Sequence, residues 1–229
     1  MNATPERLRD AGSVDLPPIR AAPHVDPMEI TMAITAPAPR VLADAVSHTW
    51  VRNVALVLGG AAFVGISAQI AFYLPWNTTV PVTLQTFAVV LTGAALGSLR
   101  GVAAMAIYAI AGVIGMPWFA EQSSGYAAPS FGYILGFILA AFVVGKLAEH
   151  GASRTFARSV ALMIIGNLMV YAVGATWLKF NLDLPWFGEA SAWAYGVKDF
   201  LIGDIIKILI AAGLLPLAWA GLRKAGLTQ

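Results

Sequence analysis

Long uncharged stretches alternate along the chain with short segments that gather its proline, glycine and charged residues. A bilayer's hydrocarbon core is about 30 Å thick, so a crossing helix needs roughly 20 apolar residues. The pattern predicts six such helices: Val54 to Leu74, Thr83 to Leu99, Gly101 to about Gly115, Phe131 to Lys146, Ser159 to Leu178 and Phe200 to Leu222. The third run is short for a full span, which implies tilt or burial within protein. The second and third also read as one helical hairpin dipping partway in. The fold class expected is therefore an all-α membrane protein with six transmembrane helices. Residues 1–50 break the pattern. They hold seven of the 13 prolines and six of the 12 acids with no sustained apolar period, which predicts a disordered proline-rich tail ahead of a six-helix transmembrane domain over 51–225. The tail lacks the charged start, apolar core and small-residue cleavage site of a secretory signal.

Composition supports the bilayer reading. At 59% apolar and 11% charged residues, the chain lies far from a soluble globule, and nucleic-acid binding and soluble catalysis recede. Its net charge of +2 comes from Lys and Arg at the edges of apolar runs, where they report topology. Arg40, Arg52, Arg100, Lys146, Arg154, Arg158, Arg223 and Lys224 fall at alternate ends of the predicted helices, so both termini are expected to be cytoplasmic. Trp76, Trp118, Trp177, Trp186 and Trp193 then mark the outer interface, Trp50 and Trp219 the inner. With no cysteine, disulfides, thiolate metal sites and cysteine nucleophiles are excluded.

The chemistry concentrates in a few places. Asp204 and Lys207 sit three apart inside an otherwise apolar helix and so share a face. Charges at membrane depth cost several kcal/mol and ordinarily serve a site, although a self-cancelling ion pair is the plain alternative. Asp204 offers acceptors, and Lys207 offers donors and a positive charge, a pair suited to a ligand carrying both N–H groups and an anion. Thr83, Gln85 and Thr86 open the second helix. Asn167 and Tyr171 are four apart on the fifth, presenting an amide and a hydroxyl to the interior. The segment Gly112 to Tyr133, rich in glycine, proline and aromatics, reads as a lid with aromatic walls. Ala61 and Gly65, small residues four apart, permit close helix approach, either within the bundle or by a partner. No GxxxxGK[ST] loop occurs, and His24, His48 and His150 assemble no catalytic or metal cluster within the spans, so no enzymatic activity, cofactor or metal is expected.

Five motifs together resemble one family. They are Pro81-Val-Thr-Leu-Gln85 with Gly93, Gly97 and Gly101 beyond; Gly112-x-x-Gly115-x-Pro117-x-Phe119-Ala120; Gly132-Tyr133-x-x-Gly136-Phe137; Tyr171-x-x-Gly174-x-x-Trp177-Leu178; and Gly203-Asp204-x-x-Lys207. They are similar to the BioY proteins, biotin-specific substrate-binding (S) components of energy-coupling factor transporters, across most of residues 52 to 222. The resemblance implies a six-helix S-component bundle holding biotin near the outer face under loops one and three, against helices four to six. It implies a transmembrane coupling protein (BioN-like) and an ATPase (BioM-like) as partners. It assigns biotin contacts to Asp204 and Lys207, adds Thr83 from loop one, and turns Ala61 and Gly65 toward the coupling protein. Before helix four the family's usual Pro-Thr-Gly-Gly-Tyr is Pro129-Ser130-Phe131-Gly132-Tyr133 here.

Biotin suits these residues chemically. Its ureido N–H groups match Asp204, and its rings suit walls of Trp118, Phe119 and Tyr133. Gln85, Asn167 and Tyr171 add polar contacts, while Lys207 can take either the ureido oxygen or the carboxylate. The implied location is the plasma membrane of a prokaryote, the inner membrane of a Gram-negative cell. An S component or carrier for another small vitamin-like solute, or a non-transporting structural membrane subunit, are the rival readings.

Overall fold

A computed structural model of the chain describes residues 39–45 and 49–227. Six principal helices are present among the described residues. They are α1 (Trp50–Ala68), α2 (Gln85–Leu96), α3 (Ser98–Val113), α4 (Phe131–Glu149), α5 (Phe156–Asn181) and α7 (Leu201–Lys224), with a short α6 (Ala192–Gly196) ahead of the last. Among the described residues α1, α4, α5 and the stretch Ala192–Lys224 are long and apolar enough to cross a membrane. At 12 and 16 residues, α2 and α3 reach only about 18 and 24 Å.

Those two short helices form a hairpin about a single residue. Gly97 turns the chain at φ 85, a left-handed conformation natural to glycine. The arms then run back so closely that a Cβ on Gly101 would lie 3.2 Å from the Cα of Gly93. Glu149, at the end of α4, caps the second arm: its Oε1 accepts from the backbone N–H of Ser98 at 2.8 Å and from the Ser98 hydroxyl at 2.7 Å. This contact depends on Gly145, where a Cβ would come within 2.4 Å of the Ser98 nitrogen. Helix α4 is thus the central post, packed against α2, α3 and α5.

One expectation needs correction. The first helix does not reach Leu74. It stops at Ala68, and the chain turns into a two-stranded antiparallel hairpin of β1 (Ala71–Leu74) and β2 (Asn77–Thr83), with Ala71 opposite Thr83 and Leu74 opposite Asn77. Pro75 and Pro81 cannot donate helical hydrogen bonds, and Thr78, Thr79, Val80, Val82 and Thr83 are β-branched residues that favour extended backbone. The fold is thus mostly helical rather than all-α, with a β-hairpin at one end. The tail expected over residues 1–50 falls mostly outside the described residues. Residues 1–38 and 46–48 lie outside the described residues. Residues 39–45 are ordered against the bundle: Val41 is 2% exposed, and Asp44 in a 3-10 turn over Leu42–Ala45 meets Arg100 at 2.9 Å.

Connectivity sorts the ends. The turn at Gly97, the α4–α5 connection and residues 39–45 share one end of the bundle. The β-hairpin, the α3–α4 segment and the α5–α7 segment share the other. The core divides likewise, with Tyr108, Tyr133, Phe137 and Tyr171 in the hairpin half and Val90, Val144, Leu162 and Leu215 in the opposite half.

Candidate functional site

A cavity with about 260 Å³ of water-accessible space opens under the β-hairpin. Its walls come from β2, the start of α2, the segment Phe119–Ser130, the first turns of α4, and α5 and α7 where they face each other.

Asp204 and Lys207 stand on its floor. A helix places residues three apart on one face, and α7 turns this face inward while Ile202, Ile205, Ile206 and Leu209 point outward. Asp204 is 3% exposed. Its Oδ1 accepts from Lys207 Nζ at 2.9 Å and from the Thr86 hydroxyl at 3.4 Å, and its Oδ2 accepts from the Tyr171 hydroxyl. Lys207 Nζ donates also to Thr86 Oγ1 at 3.2 Å. Three helices are therefore joined through one carboxylate. A carboxylate offers about four lone-pair sites and an ammonium three protons. Among the described residues, one acceptor site on Asp204 and one donor on Lys207 have no partner.

The sequence-derived residues Thr83, Gln85, Phe119, Tyr133, Tyr171, Asp204 and Lys207 all line this cavity. Phe119 is seated by Gly112, whose missing Cβ would lie 2.0 Å from the ring, and Tyr133 lies over Gly174 in the same way. The Tyr133 hydroxyl is already engaged, donating to Gly196 O at 2.7 Å, so its ring acts as wall. Gln85 reaches down from α2 and donates from Nε2 to the Tyr108 hydroxyl at 2.7 Å.

Trp118 and Asn167 are not among the lining residues. Trp118 turns toward α1, donating from Nε1 to Tyr108 O at 3.0 Å. Asn167 sits a turn from Tyr171, 8% exposed, with its Oδ1 buried and without a partner among the described residues. Ala61 and Gly65, the expected partner-docking pair, lie on the face of α1 that packs within the bundle. Ala61 is fully buried in the core, and a Cβ on Gly65 would lie 3.0 Å from the Trp118 ring. The spacing names a face of α1, and at Gly65 that face receives the chain's own Trp118.

Sequence reasoning leaves several lining residues out of the site: Thr86, Tyr73, Thr79, Phe137 and Phe200. Thr86 sits in the polar run Thr-Leu-Gln-Thr and Phe137 in the Gly136-Phe137 motif, so both carry a signal. Tyr73 is hidden inside the uncharged run that reads as helix one. At the mouth its hydroxyl donates to Glu121 Oε2 at 3.0 Å. Partial burial, then this bond, raise its pKa.

A sequence profile described as the BioY family matches residues 35–224. The chain belongs to the BioY family. The relative named "Biotin transporter BioY" from Thermotoga maritima is 39% identical over 136 residues, 58% of this chain and 77% of its own length. The one so named from Rhodobacter capsulatus is 31% identical over 171 residues, 69% of this chain and 88% of its own. Among solved structures, the fold is shared with the "S-component for biotin from an ECF-type ABC transporter", with a TM-score of 0.64 over 78% of this chain and 95% of that one, at 21% identity. The BioY motifs gain local reasons from the geometry: Gly112 seats Phe119, Gly174 seats Tyr133, and Asp204-x-x-Lys207 closes the cavity floor. Family and apolar helices together make this BioY chain a membrane protein, and the family's named members are transporters rather than enzymes.

Proposed function

We propose that this chain is the membrane-embedded biotin-binding component of a biotin uptake transporter of the energy-coupling factor type. The observation that carries this reading is the buried Asp204–Lys207–Thr86–Tyr171 network beneath a largely apolar cavity. Its unused acceptor and donor meet the ureido N–H and C=O groups, or the donor meets the carboxylate. Phe119, Phe137 and Tyr133 enclose the rings and chain. The relatives' names support the choice of ligand.

Biotin is captured at the outer face, where the hairpin and the α3–α4 segment cover the cavity. All six principal helices lie in the bilayer of a prokaryotic plasma membrane, with α2 and α3 as a short re-entering pair. Both ends of the chain are cytoplasmic, in line with the arginines and lysines at the Gly97 end. No phosphate-binding loop occurs in these 229 residues, so nucleotide hydrolysis falls to a separate ATPase joined through a transmembrane coupling protein.

Calorimetry on purified, monodisperse protein tests the ligand: saturable one-to-one biotin binding is expected, and no binding overturns the reading. Impermeant thiol labelling in intact cells tests the orientation. Gln122→Cys and Glu189→Cys, both exposed, are expected to react and Arg158→Cys is not. The reverse pattern inverts the topology.

A further inference from the structure

Tyr108 lies on α3, fully buried and outside the cavity lining. Nevertheless its hydroxyl is hydrogen-bonded to a residue that lines the cavity. Its hydroxyl has one proton and two lone pairs. The proton goes to Trp118 O at 3.4 Å, and a lone pair receives Gln85 Nε2 at 2.7 Å. Trp118 is held in turn by Gln69 Nε2 at 3.1 Å from its carbonyl and by its own indole on Tyr108 O. Tyr108 also packs against Trp118 and Phe119, with ring centroids 5.1 and 5.2 Å away. The ring cannot swing, and the hydroxyl keeps both partners only while Gln85 presents its nitrogen.

A carboxamide has two faces, an acceptor and a double donor. With Nε2 bonded to the Tyr108 hydroxyl, the Gln85 oxygen has no donor among the described residues, and Gln85 lines the cavity. From this the geometry points to a new assignment: Tyr108 is a positioning residue that fixes the Gln85 carboxamide oxygen toward the ligand, making Gln85 a selector for a ligand N–H. The inference rests on the biotin reading and deepens it. Three of the lone-pair sites on Asp204 are taken by Lys207, Thr86 and Tyr171. Two ureido N–H groups thus need a second acceptor, and Gln85 supplies it. A site built to accept an N–H rejects an isostere without one, because its own acceptor is left unpaired.

The test compares biotin with its two cyclic carbamate analogues, in each of which one ureido N–H is replaced by ring oxygen. These change a donor into an acceptor with little change in shape. Wild-type protein is expected to prefer biotin over one analogue by roughly tenfold to a hundredfold. In Tyr108→Phe the ring packing persists but the amide is free to turn its NH₂ to the cavity, and the preference is expected to fall to within about threefold. Gln85→Leu is expected to lose the same preference, and the double variant no more than either single one. A purely structural role for Tyr108 would weaken all ligands together and leave their ratio unchanged. Should Tyr108→Phe fail to fold, the ligand ratio in Gln85→Leu decides the matter by itself. Wild-type protein that binds no biotin overturns the functional reading. Wild-type binding without the preference, or with a preference that survives in the variants, overturns the Tyr108–Gln85 assignment alone.

Discussion

The two ends of the bundle use polar side chains in opposite ways. At the Gly97 end, buried and half-buried charges close on the chain itself. Glu149 caps α3 through Ser98, Asp44 takes both Arg100 Nη atoms at 2.9 and 3.0 Å, and the Trp219 indole donates to the Ser153 hydroxyl at 3.1 Å with Arg154 over its ring. At the hairpin end, Asp204, Lys207 and Gln85 each keep a hydrogen-bonding position with no partner among the described residues. Similar residues lock helices in one place and stay open to a ligand in the other. The difference lies in whether local geometry supplies the last partner.

The sharpest way to break this comparison is to remove one charge from the cavity floor. Asp204→Leu leaves the Lys207 ammonium, whose side chain is 14% exposed, without its counter-charge. A cost of about 3 to 5 kcal/mol in stability is expected, read as a large fall in melting temperature. Asp204→Leu with Lys207→Met is expected to recover most of that stability while binding no biotin. If the double variant still bound, the floor would be structural only. The milder Asp204→Asn and Lys207→Met are each expected to fold and to weaken binding at least about tenfold, through loss of a charge-assisted contact; calorimetry reads this directly.

The opposite end predicts the mirror image. Glu149→Ala uncaps α3 and is expected to lower stability by about 1 to 2 kcal/mol with biotin affinity unchanged. Asp44→Ala removes a half-buried pair and is expected to cost about 1 kcal/mol, again with no change in affinity. A change in affinity of more than a few-fold in either variant would show that the two ends are coupled. The smallest effect belongs to Tyr73→Phe, which is expected to speed biotin release without altering the melting temperature. The Tyr73 hydroxyl donates only while protonated, and its pKa is raised in the fold. The tie is therefore present below the ordinary tyrosine value near 10 and is lost as pH rises through the raised one. Wild-type release rates are expected to stay flat at neutral pH and to approach those of the variant only in strong alkali.

These contrasts also explain what the sequence makes legible. Asp204 and Lys207 stand out because charge in an apolar helix has few innocent explanations, and helices α4, α5 and α7 stand out because length and hydropathy suffice for them. The β-hairpin escapes such a reading for a physical reason: an uncharged run does not distinguish helix from strand, and Ala71–Leu74 is a strand. Ala61 and Gly65 show the limit of spacing, which names a face of a helix but not what fills it. Tyr108 is invisible for another reason. Its role depends on where a second side chain's amide points, and nothing along the chain records that.

The hairpin has a kinetic consequence. Buried Asn77 donates to Tyr195 O at 2.9 Å and to Asp199 Oδ2 at 3.0 Å, stitching β2 to the segment that leads into α7. Two walls of the mouth are thus tied to each other. The third wall is rooted at Phe119 by Gln69 and held farther out by the Tyr73–Glu121 bond, where Glu121 and Gln122 carry φ of 59 and 57. A pair of left-handed non-glycine residues stores strain, so that bond holds a sprung segment down. A ligand's association rate is therefore expected to fall when this segment is tied down more firmly, and to scale with the fraction of time it is lifted.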